Sequence, residues 1–308
     1  MMKISIIGSG AMGSLFGGHL SLAGHDVVLF DVYREHVEKI ASDGLAIEDA
    51  ATGAVLTAHP AASTEPRAVE GSDVLVIFVK STATEKAAAQ FAPLAKKHTI
   101  VVTLQNGLGN EAIIRRHFGP ERTAAGVTSQ GATFLGPARI RHAGRGPTHI
   151  AMADGSSEKL MPFADALTSA GFPTHIETDV AGLVWSKLVI NVGINALTAI
   201  TGQPNGRLLD SEETKALMAD LVSEAVAVAK ARGIRFTFDD PLRVVYEVAA
   251  KTGANRSSML QDFDRNRETE IDFMNGAIVR EAAALGIPVP VNATVTRIIT
   301  ALEKLRKP

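Results

Sequence analysis

Lys3-Ile4-Ser5-Ile6-Ile7-Gly8-Ser9-Gly10-Ala11-Met12-Gly13 opens the chain and decides its fold. A short apolar strand runs into a G-x-G-x-x-G turn. A helix, read as amphipathic over about Ala11 to Ala23, follows it. Each glycine has its own task. Gly8 permits the tight turn out of the strand, Gly10 lets a pyrophosphate approach bare backbone, and Gly13 lets the helix lie close to the sheet. Ala11 and Met12 begin the helix, where N–H groups without intrahelical acceptors face an anion. An ordinary tight turn can carry the same glycines, so the context decides. A second apolar strand, Asp26-Val27-Val28-Leu29-Phe30, ends at Asp31, 18 residues after Gly13. A carboxylate there accepts hydrogen bonds from the adenosine ribose. It suits a free 2′-hydroxyl and repels a 2′-phosphate. The expected cofactor is therefore NAD(H), with NADP(H) the alternative. Arg34 is the nearby cation that competes with this reading. It either reaches a phosphate or is a helix-surface charge beside Glu35 and Glu38.

Outward from this unit, strands and helices alternate. A helix is read over 34–42 and a hairpin over 44–60, turning at Ala51-Thr52-Gly53. A strand follows over 73–79, a helix over 82–95 and a strand over 99–104. Continuous apolar strands of this kind are covered by helices on both faces. The pattern predicts an α/β fold, a Rossmann-type doubly wound sheet whose ligands bind beyond the carboxyl ends of its strands. Lys80 and Gln105-Asn106-Gly107 stand at two such ends. Glycine-punctuated segments over 123–153 read as antiparallel strands added to the sheet edge. A helix over 157–170 and a strand over 173–176 complete this half. Beyond Asp179 the chain reads as helical over 180–200, 211–232, 241–251, 258–285 and 291–304. The expected division is 1–178 for dinucleotide binding and 179–308 for an all-helical substrate-binding and dimerisation domain.

Composition narrows the function. The 308 residues carry a net charge of −2 with no basic run, which argues against a nucleic-acid partner. Cys is absent, which excludes disulfides, thiolate metal sites and cysteine nucleophiles. The nine histidines show no ligand spacing, so no metal is expected. No signal peptide is read at the start, and no run of about 18 apolar residues suggests a membrane span. The expectation is a cytoplasmic protein, a homodimer through apolar helical faces, acting on a small molecule.

Within the apolar stretch from Val180, Lys187, Asn191 and Asn195 recur every four residues. On a helix they form one stripe. Buried polar groups must find partners, so the stripe reads as ligand-facing, against the alternative of a solvated surface charge.

At these residues the chain resembles the ketopantoate reductase (2-dehydropantoate 2-reductase) family. The resemblance rests on the glycine turn, Gln105-Asn106-Gly107-Leu108-Gly109 and Trp185-Ser186-Lys187-Leu188 with Asn191 and Asn195. It rests also on Asn255-Arg256-Ser257-Ser258-Met259-Leu260-Gln261-Asp262 and Thr269-Glu270-Ile271-Asp272, and it extends from Lys3 to about Pro290. It implies hydride transfer to the ketone of ketopantoate, giving pantoate on the way to coenzyme A. By resemblance Lys187 is the catalytic lysine that protonates the ketone oxygen, and Glu270 helps bind and orient the substrate. Asn106 is implied to contact cofactor and substrate, Asn191, Asn195 and Ser258 to bind substrate, and Lys80 to lie near the cofactor. Family members using NADPH tend to carry a basic residue just after the second strand, where this chain has Asp31-Val32. Taken alone, Ser258 with Gln261 reads as a helix capping box, Glu270 as a surface charge, and Asn106-Gly107 as a turn pair. Two other functions remain open: reduction of a different 2-oxo acid, or dinucleotide sensing without catalysis.

Overall fold

A computed structural model describes residues 1–306. The chain forms two compact units. One comprises Met1–Gln105 and Asn110–Val180, the other Asn106–Gly109 and Ala181–Pro308.

The first unit begins with β1 (Lys3–Ile7), α1 (Ala11–Leu22), β2 (Asp26–Phe30) and α2 (Arg34–Asp43). A hairpin, β3 (Leu45–Asp49) and β4 (Val55–Ala58), leads to β5 (Ala61–Ser63), β6 (Val74–Ile77), α3 (Thr84–Phe91), β7 (Ile100–Thr103) and α4 (Asn110–Phe118). Then come β8 (Thr123–Thr128), β9 (Gly131–Gly136), β10 (Arg139–Gly144), β11 (Thr148–Met152), α5 (Met161–Ser169) and β12 (Thr174–Ile176). Eight strands make the main sheet in the order β12-β11-β8-β7-β6-β1-β2-β5. All pairs are parallel except β8 with β11. Alternate residues serve opposite faces, as the two-residue strand period requires. Ile4, Ile6, Val74, Val76 and Val102 join one buried cluster, and Ile7, Leu75, Ile77 and Val101 the other. The strand order reverses at β1, which lies between β2 and β6, and this is where such sheets take their ligands.

Three expectations are corrected here. The segment 123–153 does not simply extend the sheet edge. β8 joins the main sheet parallel to β7 and β11 pairs antiparallel with β8. β9 and β10 instead join the β3–β4 hairpin in a second sheet, β4-β3-β10-β9. The hairpin offers β3 an unpaired edge, and β10 alternates buried Ile140 and His142 with exposed Arg139 and Arg141. Second, α1 is not amphipathic, because it lies between the two sheets. A Cβ on Gly17 would sit 2.3 Å from Leu29 Cδ2 in the main sheet, and one on Gly18 2.7 Å from Ile47 Cδ1 in the small one.

The third correction falls in the second unit. Its helices are α6 (Val180–Thr201), α7 (Glu212–Ala231), α8 (Pro241–Lys251), α9 (Ser258–Asp264), α10 (Asn275–Leu285) and α11 (Pro290–Arg306). The single helix expected over 258–285 is broken. Asn266 turns left-handed with φ 52°. The Arg267 N–H closes back on the Asp262 carbonyl at 2.8 Å, ending α9 as a left-handed residue does. A short 3₁₀ turn, Ile271–Phe273, precedes α10. α6 is long and apolar enough to cross a membrane by length and composition, yet 67% of its most apolar window is buried inside the protein. It packs closely: a Cβ on Gly193 would sit 2.8 Å from Val245 Cγ1 and 3.0 Å from Val222 Cγ2. The Glu224 carboxylate accepts from the N–H groups of Val291 and Asn292, both at 2.9 Å, and so holds the start of α11.

Gly13 tests the sheet–helix contact. A Cβ there would lie 2.0 Å from the Gly8 carbonyl oxygen, a backbone atom that cannot step aside. Gly13→Ala is expected to destabilise the protein by about 2–3 kcal/mol, lowering its melting temperature by roughly 5–10 °C. A melting temperature within 2 °C of the parent, measured by calorimetry, contradicts this packing.

Candidate active site

In the first unit the glycine turn stands at the strand-order reversal. Gly8 has φ 95°, and a Cβ on it would lie 2.6 Å from the Val79 backbone nitrogen beyond β6. Gly10 is different. Its φ is −61°, and a Cβ there would meet no atom within 4 Å. The protein's own packing does not require glycine at this position, and the open space above its backbone is a cradle fitted to a phosphate. The start of α1 has no side-chain cap and no acidic residue in its first turn, so the N–H groups near Ala11 and Met12 keep their attraction for an anion. These features fit a dinucleotide.

Asp31 is half-buried. Its carboxylate accepts from the Tyr33 N–H at 3.0 Å and the Ser9 hydroxyl at 3.4 Å. Val32 beside it is 85% exposed. Arg34 lies 3.6 Å from Glu38, with the two side chains 74% and 65% exposed, a solvated i,i+4 pair of small energy. Lys80 is exposed, three residues beyond the end of β6. Gln105, at the end of β7, donates to the Val79 carbonyl at 2.6 Å and to the Thr84 hydroxyl at 2.9 Å. Its task is to hold the loop that follows β6.

The second unit gathers the other residues. Lys187 is half-buried on α6, and desolvation lowers its pKa from the ordinary 10.5 to about 8. Asn191, one turn on, has its amide nitrogen buried without a hydrogen-bond partner. Asn195 directs its amide toward Ser258 Oγ and Met274 Sδ, each at 3.5 Å. The capping reading of Ser258 is corrected. Ser257 caps α9, accepting from the Leu260 N–H at 3.1 Å and bonding the Thr198 hydroxyl at 2.7 Å. Ser258 is thereby left on the side of Asn195. Glu270 is buried rather than a surface charge, and it opens the 3₁₀ turn.

Asn106 belongs to this unit, although it follows Gln105 directly. The Leu108 N–H donates to the Phe273 carbonyl at 2.8 Å. Gly107 has φ 87°, and a Cβ on it would lie 2.5 Å from that same oxygen. The loop carrying Asn106 is therefore bound to the turn that Glu270 opens. Sequence reasoning missed Ser257, Thr198, Phe273 and Met274. Ser257 was visible as an equally good cap one position earlier and Thr198 as a polar residue three positions after Asn195 on the same helix, while Phe273 and Met274 carried no signal of polarity or spacing.

A G-x-G-x-x-G turn at the switch point of a doubly wound sheet, joined to an all-helical unit, marks the NAD(P)-dependent oxidoreductases. Residues 4–155 match the family described as ketopantoate reductase PanE/ApbA, and residues 179–303 match its C-terminal family. The chain belongs to the ketopantoate reductase family. It is 33% identical over 304 residues to a 2-dehydropantoate 2-reductase of Halobacterium salinarum, covering 98% of this chain and 99% of that one. A solved PanE/ApbA family ketopantoate reductase from Ralstonia eutropha JMP134 superposes with a TM-score of 0.92 at 36% identity, over all of both chains. A D-mandelate dehydrogenase solved with NADH and anilino(oxo)acetate also superposes with a TM-score of 0.92, at 29% identity over all of both chains.

The unsatisfied amide of Asn191 separates a ligand role from a structural one. Burying such a donor costs about 1–3 kcal/mol. Asn191→Leu is therefore expected to leave the melting temperature unchanged or raise it, while weakening substrate binding. A clear loss of stability in thermal denaturation assigns Asn191 to the fold instead.

Proposed function

We propose that the protein reduces the ketone of ketopantoate to pantoate, using NADH in preference to NADPH, with Lys187 as the general acid. Carbonyl reduction requires hydride at carbon and a proton at oxygen. The bound nicotinamide supplies the hydride. The chain's own residues supply the rest. Placement of Lys187 is the observation that carries this reading: a cation desolvated on an otherwise apolar helix, one turn from an amide with no partner. A pKa of about 8 leaves the ammonium protonated at neutral pH while making it a better donor than an ordinary lysine. It gives its proton to the ketone oxygen as negative charge develops there. Asn191, Asn195 and Ser258 offer neutral hydrogen-bonding groups for a carboxylate and a hydroxyl. Glu270 accepts from a substrate hydroxyl and orients it. Asn106 serves substrate and cofactor. On the cofactor side Gly8, Gly10, Ala11, Met12 and Gly13 receive the pyrophosphate, Asp31 the ribose, and Lys80 lies beside them.

A second reading, reduction of another 2-oxo acid, is supported by the likeness to D-mandelate dehydrogenase, solved with NADH, and by Asp31, which also favours NADH. Turnover of ketopantoate against a panel of aryl and branched 2-oxo acids separates the two. Tenfold higher kcat/KM for an aryl acid selects the second.

Lys187→Ala is expected to lower kcat by roughly 10²-fold or more with the fold intact. The acid must be protonated to act, so parental activity is present at neutral pH and declines as pH rises through about 8. A parental rate that stays flat to pH 9.5 removes Lys187 from the mechanism.

Cofactor preference follows from charge. A 2′-phosphate beside Asp31 costs on the order of 1–3 kcal/mol, roughly 5- to 150-fold in kcat/KM. Asp31→Asn narrows that gap by removing the charge and keeping a polar group. A parent that favours NADPH tenfold reverses the reading of Asp31.

A further inference from the structure

Behind the glycine turn lies a buried histidine that the reaction does not use. His36, on α2, is 1% exposed. Its Nδ1 accepts from the Ala138 N–H at 3.0 Å. The neutral ring therefore carries its proton on Nε2, which lies 3.2 Å from Ser14 Oγ and donates to it. Ser14 in turn donates to the carbonyl of Ser9 at 2.7 Å, and Ser9 stands between Gly8 and Gly10. The relay runs from Ala138 through His36 and Ser14 to the middle of the turn. Ala138 holds an unfavourable left-handed φ of 57°, and both its backbone groups are engaged, the N–H with His36 and the carbonyl with the Ala46 N–H at 2.9 Å.

We propose that His36, acting through Ser14, is a positioning residue for the dinucleotide: its Nε2–H tautomer sets the pitch of the Gly8–Gly13 turn that receives the pyrophosphate. This rests on the cofactor reading above. The ring is enclosed on every side. Tyr33 stacks on it at 6.2 Å with an interplanar angle of 10°, and Phe134 lies at 5.1 Å. The charges near it are Asp31 and, beyond the Tyr33 hydroxyl, Glu35. Burial holds the His36 pKa below the ordinary histidine range, opposed by Asp31 and the Ser9 backbone. Protonation would place a second donor on Nδ1 against the Ala138 N–H. The neutral form that holds the turn is therefore complete above the ordinary range and is lost as acid drives a proton onto the ring.

Two amide substitutions divide the relay. His36→Gln places its amide near the Nε2 position and keeps a donor for Ser14. His36→Asn places its amide near Nδ1 and reaches only Ala138. NADH affinity, read by fluorescence titration, is expected to fall roughly tenfold in His36→Asn and in Ser14→Ala, the loss of one buried hydrogen bond. His36→Gln should bind NADH within about threefold of the parent. Parental affinity should hold through the ordinary histidine range and weaken only as pH falls below it, and His36→Gln should flatten that profile. In steady state, KM for NADH should rise in Ser14→Ala with kcat and the ketopantoate KM unchanged. In the protein without cofactor, ¹⁵N spectra should show the Nε2–H tautomer, and Ser14→Ala should move the Gly8 and Gly10 amide resonances. Parental NADH affinity in both His36→Asn and Ser14→Ala, or unmoved glycine resonances, overturns the proposal. A parent that binds neither NADH nor NADPH refutes the cofactor reading instead, and with it the positioning role, whatever the resonances do.

Discussion

The contact between the Gly8 carbonyl and the Gly13 α-carbon is the constraint on which the first unit depends. A side chain at Gly13 would need space that the Gly8 oxygen already fills. The strand, turn and helix are thereby locked into one piece, and the two sheets close around that helix through Gly17 and Gly18. Close packing leaves no slack for a methyl group at such a crossing. Gly10 is the exception that gives the arrangement a purpose. It is glycine without any internal steric need, and of the three turn glycines it is the one whose added Cβ would meet open space.

The helical unit is governed by the opposite problem, that of keeping polar groups inside an apolar core. α6 carries Lys187, Asn191 and Asn195 on one stripe, and the surrounding helices treat them unequally. Asn195 finds Ser258 and Met274 at the edge of hydrogen-bonding distance. Asn191 has a buried donor with no partner. By contrast, Ser257 pairs with Leu260 and Thr198, and Glu224 with the first turn of α11, while Asn205 and Asn275 donate within the fold and each keep a buried amide oxygen without a partner. Satisfied groups hold elements together, whereas an unsatisfied one is a cost that ligand binding can relieve.

The legible part of the site was the part encoded by local geometry. The glycine turn and Asp31 could be read because strand, turn and helix each have a fixed residue period. The four-residue spacing of Lys187, Asn191 and Asn195 could be read for the same reason. Glu270 could not be read by pattern, and Asn106 only as a polar residue at a strand end. Glu270 is flanked by charges and looks solvent-facing, and only the break after Asp264 turns it inward. Asn106 looks like a strand-end residue, yet it is tied to the helical unit because the Leu108 N–H finds its acceptor on Phe273, more than 160 residues along the chain. The capping serine was misplaced by one position because Ser257 and Ser258 are equivalent in sequence, and only the Thr198 hydroxyl distinguishes them.

The sequence by itself determined the doubly wound sheet, the helical second half, the glycine turn and the polar stripe, because all of these follow from interactions within a few residues or from repeating apolar periods. Tertiary structure decided the rest. It sent β9 and β10 to a second sheet, because the edge of β3 was free and half-buried strands seek such an edge. It broke the 258–285 helix at Asn266, where a left-handed residue within the polar stretch 264–270 closes α9 before the apolar period resumes at Ile271. It buried His36 against Ser14 and Ala138, residues that are neighbours only after folding. Those outcomes depend on which unpaired backbone groups and buried polar atoms meet across long stretches of chain, and no local pattern records that meeting.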